Sequence, residues 1–265
     1  MKSLIFLKLG GSLITDKTRP YALEEEIIKR LSKEIKEARE EKRIDLIIGH
    51  GGGSFPHISA KRYKTNKGFI DKNSKYGFCQ VQNDAANLNR IIVKNLLAVK
   101  ENAFSVNPSS CSLAKNSEIE EFYLKVVNEL LKEKILPVIY GDTVIDTEKG
   151  CTILSTEKIF LYLAKKIKPK RIIIADKTGG VHTSDPFKDK EAKIIKEVNR
   201  NNWEEVKGFL SGSNGIDVTG GMKDKVEKCI KLSKLGIKVN IINGRKPNEV
   251  KKALLGEELG TRISW

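Results

Sequence analysis

Short apolar runs recur along the chain, and each of them ends in a turn that contains glycine. The runs occupy residues 3–11, 44–55, 135–142, 170–181 and 238–245. Apolar runs without polar alternation are typical of strands that a sheet buries on both faces. The pattern therefore predicts a set of buried strands, each followed by a glycine-containing turn at its carboxyl end.

The segments between these runs carry apolar residues at helical spacing. In residues 23–42 the apolar positions that follow one helix face are Ile27, Ile28, Leu31, Ile35 and Ala38. Further helices are predicted near 81–99, 120–133, 158–166 and 222–235, and the polar residues 64–76 are predicted to form a flexible loop or flap. Alternating strands and helices predict an α/β fold with a largely parallel sheet, in which ligands bind beyond the carboxyl ends of the strands.

Composition narrows the class of protein. The 265 residues allow one large domain or two small ones, and 39% hydrophobic residues supply a sizeable core. No apolar stretch approaches the ~18 residues of a membrane span, and Lys8 interrupts the first run too early for a signal peptide. The four cysteines form no CxxC pair and the three histidines show no HExxH spacing, so no disulfide framework and no metal ligands are predicted. We therefore expect a cytoplasmic protein of enzyme size without a membrane partner.

The net charge of +15 favours anionic partners, which are either nucleic acid or phosphorylated small molecules. The basic residues are spread over the whole chain, and aromatic residues make up only 6%. A nucleic-acid-binding surface typically combines a concentrated basic patch with aromatic residues that stack on bases. The sequence therefore favours a lysine-rich surface and small phosphorylated ligands over a nucleic-acid partner.

Glycine clusters mark three candidate phosphate-binding turns, at residues 10–12, 51–54 and 220–221. Glycine lets backbone N–H groups approach a ligand closely, and several such groups at a helix N-terminus bind anions. Neither GxxxxGK[ST] nor GxGxxG is present, so the P-loop and the dinucleotide-binding fold are both excluded. Lysines accompany the glycines at Lys8, Lys17, Lys223 and Lys225. Because phosphoryl transfer requires positioning and positive charge rather than covalent help, these residues suit a kinase.

Several motifs, taken in chain order, carry a family resemblance. They are KLGGSLITDK (8–17), HGGGSFPH (50–57), PVIYGDTVID (137–146), SDP (184–186) and SGSNGIDVTGGMKDK (211–225). With these motifs the chain resembles the amino acid kinase superfamily from Lys8 to about Gly260, and within it the archaeal-type isopentenyl phosphate kinases. The most specific element is His57, because superfamily members with carboxylate substrates lack a histidine there. Isopentenyl phosphate kinases and a related kinase that acts on fosfomycin have one.

The resemblance implies a three-layer αβα sandwich with a central, mostly parallel sheet of about eight strands. It implies one domain over residues 1–265, with an acceptor-binding lobe at about 1–165 and an ATP-binding lobe at about 166–265. The implied activity is ATP-dependent phosphorylation of isopentenyl phosphate to the diphosphate in isoprenoid biosynthesis, through the alternative mevalonate route. ATP and Mg²⁺ are the implied cofactors, and a homodimer is the implied assembly.

Site residues follow from the resemblance, position by position. The implied catalytic residues are Lys17, Lys8 and Lys225. The implied ATP-binding residues are Lys8, Gly10, Gly11, Ser12, Gly53, Asp176, Gly221 and Lys225. The implied acceptor-binding residues are Gly52, His57 and Glu157. His57 would donate a hydrogen bond to the phosphate of the acceptor, which needs no strong general base because its nucleophile is already a phosphate oxygen.

Two segments depart from the family pattern. Residues 154–158 read Leu-Ser-Thr-Glu-Lys where the family usually has Ile-Ser-Gly-Asp-Asp, so Glu157 stands in for an aspartate. Residues 175–181 read Ala-Asp-Lys-Thr-Gly-Gly-Val in place of Thr-Asp-Val-Asp-Gly-Val. A one-residue slip would let Asp176 substitute for a family aspartate, whereas without a gap Lys177 and Gly179 occupy the aspartate positions.

These departures leave two alternatives open. One is a kinase of the same fold for another small phosphate or phosphonate, such as fosfomycin. The other is a nucleotide-binding regulator without catalytic activity. The apolar tail of an isopentenyl acceptor also requires an apolar pocket. Tyr76, Phe78 and Val81 are candidates for its wall, and equally for the ordinary core.

Overall fold

The central element is an eight-stranded sheet in the order β14-β16-β15-β11-β1-β4-β8-β5. The computed structural model describes residues 4–211 and 221–265. The strands of this sheet are β1 (Leu4–Leu9), β4 (Asp45–His50), β5 (Ala103–Val106), β8 (Leu136–Tyr140), β11 (Arg171–Asp176), β14 (Glu197–Val198), β15 (Lys238–Asn243) and β16 (Thr261–Ile263). All neighbouring strands of the sheet are parallel except β15 and β16.

Helices cover both faces of this sheet. They are α1 (Gly11–Ile14), α2 (Glu25–Glu41), α3 (Pro56–Tyr63), α4 (Ser74–Ala98), α5 (Pro108–Cys111), α6 (Leu124–Lys132), α7 (Thr156–Ile167), α8 (Trp203–Ser211), α9 (Gly221–Ser233) and α10 (Glu249–Leu255). Apolar residues of α2, α4 and α10 share one buried cluster, and those of α6, α7, α8 and α9 share the other. The predicted three-layer α/β/α sandwich with a mostly parallel sheet is confirmed.

A smaller sheet of four strands lies beside the main one, in the order β10-β9-β6-β7. Its strands are β6 (Ser112–Lys115), β7 (Glu118–Phe122), β9 (Asp142–Asp146) and β10 (Gly150–Leu154). The remaining described strands form two antiparallel pairs. They are β2 (Thr15–Asp16) with β3 (Ala22–Leu23), and β12 (Val181–His182) with β13 (Ile194–Ile195).

The apolar runs of the sequence are confirmed as strands β1, β4, β8, β11 and β15. They are contiguous in the sheet, in the order β15-β11-β1-β4-β8. The helix predicted over 23–42 is confirmed as α2, and the predictions near 158–166 and 222–235 correspond to α7 and α9. Continuous apolar character therefore identified the strands that the helices cover on both faces.

The helix predicted over 120–133 was wrong at its beginning. Residues Glu118–Phe122 form strand β7, and the helix begins only at Leu124. Asn116 and Ser117 both adopt positive φ, of 49° and 67°, and connect β6 to β7 as a hairpin. Turns with positive φ at both central residues match the twist of paired strands, so the Asn-Ser pair was the signal for a hairpin.

The loop predicted over 64–76 was also wrong in part. It contains a 3₁₀-helix (Thr65–Lys67), and α4 begins at Ser74, seven residues before the predicted helix near 81–99. The Ser74 hydroxyl accepts hydrogen bonds from the backbone N–H groups of Ile70 at 3.1 Å and Asp71 at 3.0 Å. The N–H of Phe69 donates to the carbonyl of Lys149 at 2.9 Å. The Ser74 bonds fix the start of α4, and the Phe69 bond connects the segment to the loop between β9 and β10.

Alternation along the central strands decides which polar side chain faces which helices. On β1, Leu4 and Phe6 belong to the cluster under α7 and α9, so Lys8 points to that face. On β11, Ile172 and Ile174 place Asp176 on the same face. On β4 the side chain of His50 follows Leu46 and Ile48 to the opposite face, under α4.

Candidate active site

A cavity of about 290 Å³ lies at the carboxyl ends of four adjacent strands, β11, β1, β4 and β8. Every site residue predicted from the sequence lines it: Lys8, Gly10, Gly11, Ser12, Lys17, Gly52, Gly53, His57, Glu157, Asp176, Gly221 and Lys225. This is the edge of a parallel sheet where ligands are expected to bind. The structure therefore brings together residues that are dispersed over more than two hundred positions of the chain.

Two glycine turns form the middle of the cavity and pack backbone against backbone. A side chain at Gly11 would come within 2.5 Å of the backbone nitrogen of Gly53. Gly53 has a φ of +56°, and a Cβ there would lie 2.0 Å from the hydroxyl of Thr15. That hydroxyl donates to the carbonyl of Gly11 at 2.8 Å and accepts from the N–H of Ser54 at 2.9 Å. Only glycine allows the turns after β1 and β4 to approach this closely.

Lys8 and Glu157 form a buried ion pair at the base of the cavity. Glu157 lies in the first turn of α7, whose N-cap Ser155 accepts a hydrogen bond from the N–H of Lys158. Burial by itself would raise the pKa of the Glu157 carboxyl, but the charge and hydrogen bond of Lys8 hold that pKa low. The longer side chain of Glu157 therefore does engage a cavity lysine, although the family usually has aspartate there.

Lys225 and Asp176 form a second ion pair on the same face of the sheet, in which the carboxylate is buried and the lysine is partly buried. Asp176 ends β11, and its carboxylate also accepts the N–H of Lys177 at 2.6 Å. Ser12 is near the same carboxylate, at 3.5 Å. Burial and the nearby positive charge of Lys8 lower the pKa of Lys225 to about 8. Of the two readings of residues 175–181, the one that uses Asp176 matches a carboxylate inside the cavity. We call Lys8, Glu157, Asp176 and Lys225 the charged end.

The predicted lysines after the last glycine pair differ in position. Gly221 begins α9 with a φ of +63°, while Gly220 and the preceding residues from 212 of that motif lie outside the described residues. Lys225 lines the cavity, whereas Lys223 is absent from its lining residues. Two helical positions rotate the side chain by about 200°, so the two lysines point to different sides of α9. Lys17 is exposed at the rim, on the segment that follows β2.

Toward β8 the lining becomes apolar. Pro56, Ala60, Val81 and Ile153 line this part, which we call the apolar end. Gly52 and His57 lie next to each other beside it, because a Cβ on Gly52 would be 3.8 Å from the His57 ring.

Of the three candidates for a pocket wall, only Val81 lines the cavity. Tyr76 is 63% exposed, and Phe78 packs edge-on against Phe69. The prediction for Tyr76 and Phe78 as wall residues is therefore not supported by their positions.

Sequence reasoning missed several polar residues of the cavity, among them the charged residues Asp142, Asp224 and Lys228. Asp142 follows β8 and accepts hydrogen bonds from the N–H groups of Ser109 and Thr143, at 3.0 and 2.8 Å. Burial raises the pKa of Asp142 to about 6. Lys228 lies three positions after Lys225 on α9 and pairs with Asp224 at 2.5 Å. The i,i+3 spacing from Lys225 was a usable signal for Lys228.

Three of the cavity carboxylates, those of Glu157, Asp176 and Asp224, are paired with lysines. Among residues 4–211 and 221–265, no group of three or more His, Cys, Asp or Glu side chains is arranged to hold a metal ion. Mg²⁺ commonly takes only one or two carboxylates from the protein and its other ligands from phosphates and water. The donors present therefore fit a Mg²⁺ ion that arrives on a polyphosphate, and Asp176 and Asp224 are the candidate protein ligands.

A parallel α/β sheet with glycine turns and paired lysines at the strand ends defines an enzyme that binds and transfers phosphoryl groups. Residues 3–243 match the amino acid kinase family, and the chain belongs to that family.

Similar proteins point within the family to one branch. The chain is 39% identical to the isopentenyl phosphate kinase of Methanocaldococcus jannaschii, with 99% of each chain covered. It is 31% identical to the isopentenyl phosphate kinase of Methanothermobacter thermautotrophicus, with 98% of this chain and 99% of that protein covered. A solved structure described as isopentenyl phosphate kinase superposes with a TM-score of 0.84 at 29% identity, over 98% of this chain and 100% of the other.

Proposed function

We propose that this protein is an ATP-dependent kinase that phosphorylates isopentenyl phosphate to isopentenyl diphosphate, in isoprenoid biosynthesis. The observation that carries the proposal is a single cavity in which paired lysines stand at one end and His57 beside an apolar wall stands at the other. Isopentenyl phosphate has a phosphate group and a short branched alkyl tail, and the two kinds of lining match these two parts. Full-length similarity to isopentenyl phosphate kinases supports the same conclusion.

In this proposal the charged end and the glycine turns bind the phosphates of ATP. The proposed ATP-binding residues are Lys8, Gly10, Gly11, Ser12, Gly53, Asp176, Gly221 and Lys225, and among them Asp176 acts through its ion pair with Lys225 rather than as a phosphate ligand. Glu157 and Asp176 hold the amino groups of Lys8 and Lys225 in place before ATP arrives. A bound polyphosphate supplies the negative charge that the two lysines otherwise obtain from these carboxylates.

The acceptor binds through Gly52 and His57, with its tail against the apolar end. An oxygen of its phosphate attacks the γ-phosphorus of ATP, a new P–O bond forms, and the bond between that phosphorus and the β–γ bridging oxygen breaks to release ADP. The nucleophile is already an anion, so the reaction needs cations to offset repulsion rather than a base to remove a proton. Lys17 and Lys225 are the proposed cations that stabilise the transferring group. Mg²⁺, when bound to ATP, would neutralise further phosphate charge.

A coupled assay of ADP release tests this function directly. The assay uses Mg-ATP with isopentenyl phosphate, beside fosfomycin and a control without acceptor. We expect turnover with isopentenyl phosphate alone. Turnover with fosfomycin alone would replace the substrate assignment, and binding of ATP without any turnover would identify a regulator.

The geometry does not favour that regulator. Each of the two departing segments contributes one carboxylate, Glu157 and Asp176, that pairs with a cavity lysine. The two segments in which the sequence departs from the family therefore retain the charge arrangement that phosphoryl transfer requires.

The remaining expectations of the resemblance are part of this proposal. They are a division into an acceptor-binding part at about 1–165 and an ATP-binding part at about 166–265, a homodimer, and a cytoplasmic location. In the described part of the chain, no helix has both the length and the apolar character to span a membrane. Light scattering coupled to size-exclusion chromatography tests the dimer, for which the expected mass is twice the 29.7 kDa of the chain.

A further inference from the structure

A chain of buried polar side chains lies behind the glycine turn that follows β4. His50 and Asn89 are each 1% exposed, which is unusual for polar residues. The side-chain amide of Asn89 lies 3.1 Å from Nε2 of His50, and Nδ1 of His50 lies 3.1 Å from the carbonyl oxygen of Gly51. The hydroxyl of Ser105 lies within hydrogen-bonding distance of two amide oxygens, at 2.5 Å from Oδ1 of Asn89 and 2.7 Å from Oδ1 of Asn107. The chain therefore runs from strand β5 through helix α4 to the turn that lines the cavity.

The chemistry of these groups fixes where the proton of His50 resides. A carbonyl oxygen only accepts hydrogen bonds, so Nδ1 of His50 must carry the proton that bonds Gly51. Burial lowers the pKa of His50 to about 4, so the ring is neutral near neutral pH and Nε2 is bare. A bare Nε2 accepts a hydrogen bond, which the amide N–H of Asn89 supplies. A hydrogen bond from Ser105 to the oxygen of the same amide keeps the amide nitrogen toward the ring, and the oxygen of Asn107 competes for the same proton.

The proton on Nδ1 also sets the orientation of the next peptide. The Gly51–Gly52 peptide is trans, so its C=O and N–H point in opposite directions. When the carbonyl of Gly51 is bound to a ring on the α4 side, the N–H of Gly52 points away from that ring. Gly52 lines the cavity, and its N–H donates to no other group in the described part of the chain.

The backbone and ring of His50 are both held in place. Its carbonyl accepts hydrogen bonds from the hydroxyl of Thr156 at 2.6 Å and from the N–H of Gly141 at 3.1 Å. Its ring stacks on Tyr140, with centroids 5.5 Å apart and an angle of 12° between the planes. With the ring fixed in position, the remaining freedom is which of its nitrogens carries the proton, and that is what Asn89 decides.

We propose that Asn89 and Ser105 are positioning residues that act through the Nδ1–H of His50 to aim the Gly52 N–H at the phosphate of the acceptor. This inference rests on the proposed function only in identifying the anion that the N–H meets. It assigns a task to residues that touch neither substrate, because they select the tautomer of His50 and the tautomer orients the peptide.

The protonation of His50 is testable without any substrate. Nitrogen-15 NMR of the protein labelled at histidine distinguishes a protonated Nδ1 from a protonated Nε2, and the chain has only three histidines to assign. We expect His50 to be neutral with its proton on Nδ1. A proton on Nε2 in the wild-type protein overturns the inference, even if the kinase activity is confirmed.

The variant Asn89→Leu removes the amide at nearly constant volume. We expect the KM for the acceptor to rise about tenfold, because an N–H bond to a charged phosphate weakens, while the KM for ATP stays within about twofold. Asn95→Leu is the matched control, since Asn95 lies on the same helix and its amide bonds only the carbonyl of Ile91 in that helix. The control is expected to leave both constants unchanged.

A second variant keeps the test decisive if Asn89→Leu does not fold. Ser105→Ala removes the hydroxyl that lies 2.5 Å from the oxygen of the Asn89 amide and 2.7 Å from that of Asn107, and we expect a rise of about threefold in the KM for the acceptor, because the Asn89 amide is then held less firmly toward the ring. Equal rises in the KM for ATP and for the acceptor, or no rise in either, overturn the inference. The constants are measured with whichever acceptor the wild-type enzyme phosphorylates, so failure of the substrate assignment is detected separately.

Discussion

The two ends of the cavity differ in the kinds of groups that line them. At the charged end, each lysine is fixed by an ion pair to a buried carboxylate. Toward the apolar end, the lining consists of glycine backbone, one histidine, hydrocarbon and the carboxylate of Asp142, which is bonded to backbone N–H groups rather than to a lysine. A buried carboxylate prevents a lysine from remaining as an isolated charge in a low-dielectric site, and it also fixes the position of the amino group. In the proposed function, ATP is therefore recognised mainly through its charge, and the acceptor mainly through the shape of its alkyl tail.

The largest effect is expected when one partner of an ion pair at the charged end is removed. Lys8→Met leaves the carboxylate of Glu157 buried without its cation, which is expected to destabilise the fold by about 3–5 kcal/mol. Turnover is expected to fall by at least about 10²-fold, because a cation that faces the transferred phosphates is lost. Denaturant unfolding and the coupled assay measure the two effects.

The double variant Lys8→Met with Glu157→Gln separates stability from catalysis. The glutamine side chain is neutral and close in size to that of Glu157, so no unpaired charge remains buried when the lysine is absent. This second change is expected to restore much of the stability but none of the turnover. A Lys8→Met protein as stable as the wild type would show that the pair is not needed to keep Glu157 charged in the folded state.

The acceptor side is tested by His57→Ala. We expect the KM for the acceptor to rise about tenfold to a hundredfold, because the acceptor phosphate loses a donor, while the affinity for ATP is retained. Steady-state kinetics with each substrate varied in turn gives the two constants. The neighbouring variant Ile58→Ala, at a position that is 39% exposed on the same helix, serves as the control. Equal losses for ATP and acceptor would contradict the assignment of His57 to one side.

The pH dependence sharpens the comparison, because burial and the charge of Lys8 lower the pKa of Lys225 to about 8. Above that pH the free enzyme loses the positive charge of Lys225, so kcat/KM for ATP is expected to fall by about tenfold per pH unit. Bound phosphates favour the charged amine, so the decline in kcat should begin at a higher pH.

Lys225→Arg provides the control for this assignment. The guanidinium stays charged over the whole range, so the alkaline decline should disappear even if the maximal rate is lower. A profile of kcat/KM for ATP that is flat between about pH 7 and 10 in the wild-type enzyme would contradict the lowered pKa.

The smallest expected effect concerns the apolar end. Val81→Ala removes two methyl groups from the cavity wall, and the KM for isopentenyl phosphate is expected to rise about threefold to tenfold. The KM for ATP should not change. Tyr76→Ala, at a residue that does not line the cavity, should leave both constants unchanged and serves as the control. An equal effect from both variants would show that the acceptor tail does not contact Val81.

Much of the fold could be predicted because its signals are local. The apolar runs identified the contiguous strands β15, β11, β1, β4 and β8, since a strand covered on both faces needs apolar residues at nearly every position. Strand β7 was missed because it lies at the edge of the small sheet, where three of its five residues are exposed and the apolar signal is weak. The start of α4 was missed because Ser74 is fixed by hydrogen bonds to nearby backbone rather than by an apolar pattern.

In the candidate site, too, local features could be predicted from the sequence, whereas contacts between distant residues could not. Gly11 and Gly53 were recognisable from sequence, but their direct contact depends on the pairing of β1 with β4. The sequence alone also did not decide whether Asp176 supplies a carboxylate to the cavity. That became clear only from its ion pair with Lys225 of α9, which is 49 residues away in sequence. Asp142 had no distinct signal, since its hydrogen-bond partner, the N–H of Ser109, lies 33 positions away in the sequence.

By itself, the sequence determined where the strands end, where the glycine turns lie and which residue types surround a phosphate. Hydrogen bonding within a helix and the alternation of side chains along a strand act over a few residues, so short segments of sequence are enough to predict these features. Only the tertiary structure decided that Glu157 lies against Lys8, 149 positions away, and that His50 turns toward Asn89 rather than toward the cavity. Those choices depend on the order of strands and on which helix covers each face, because ion pairs and buried hydrogen bonds form only between groups that the folded chain places within about 3 Å.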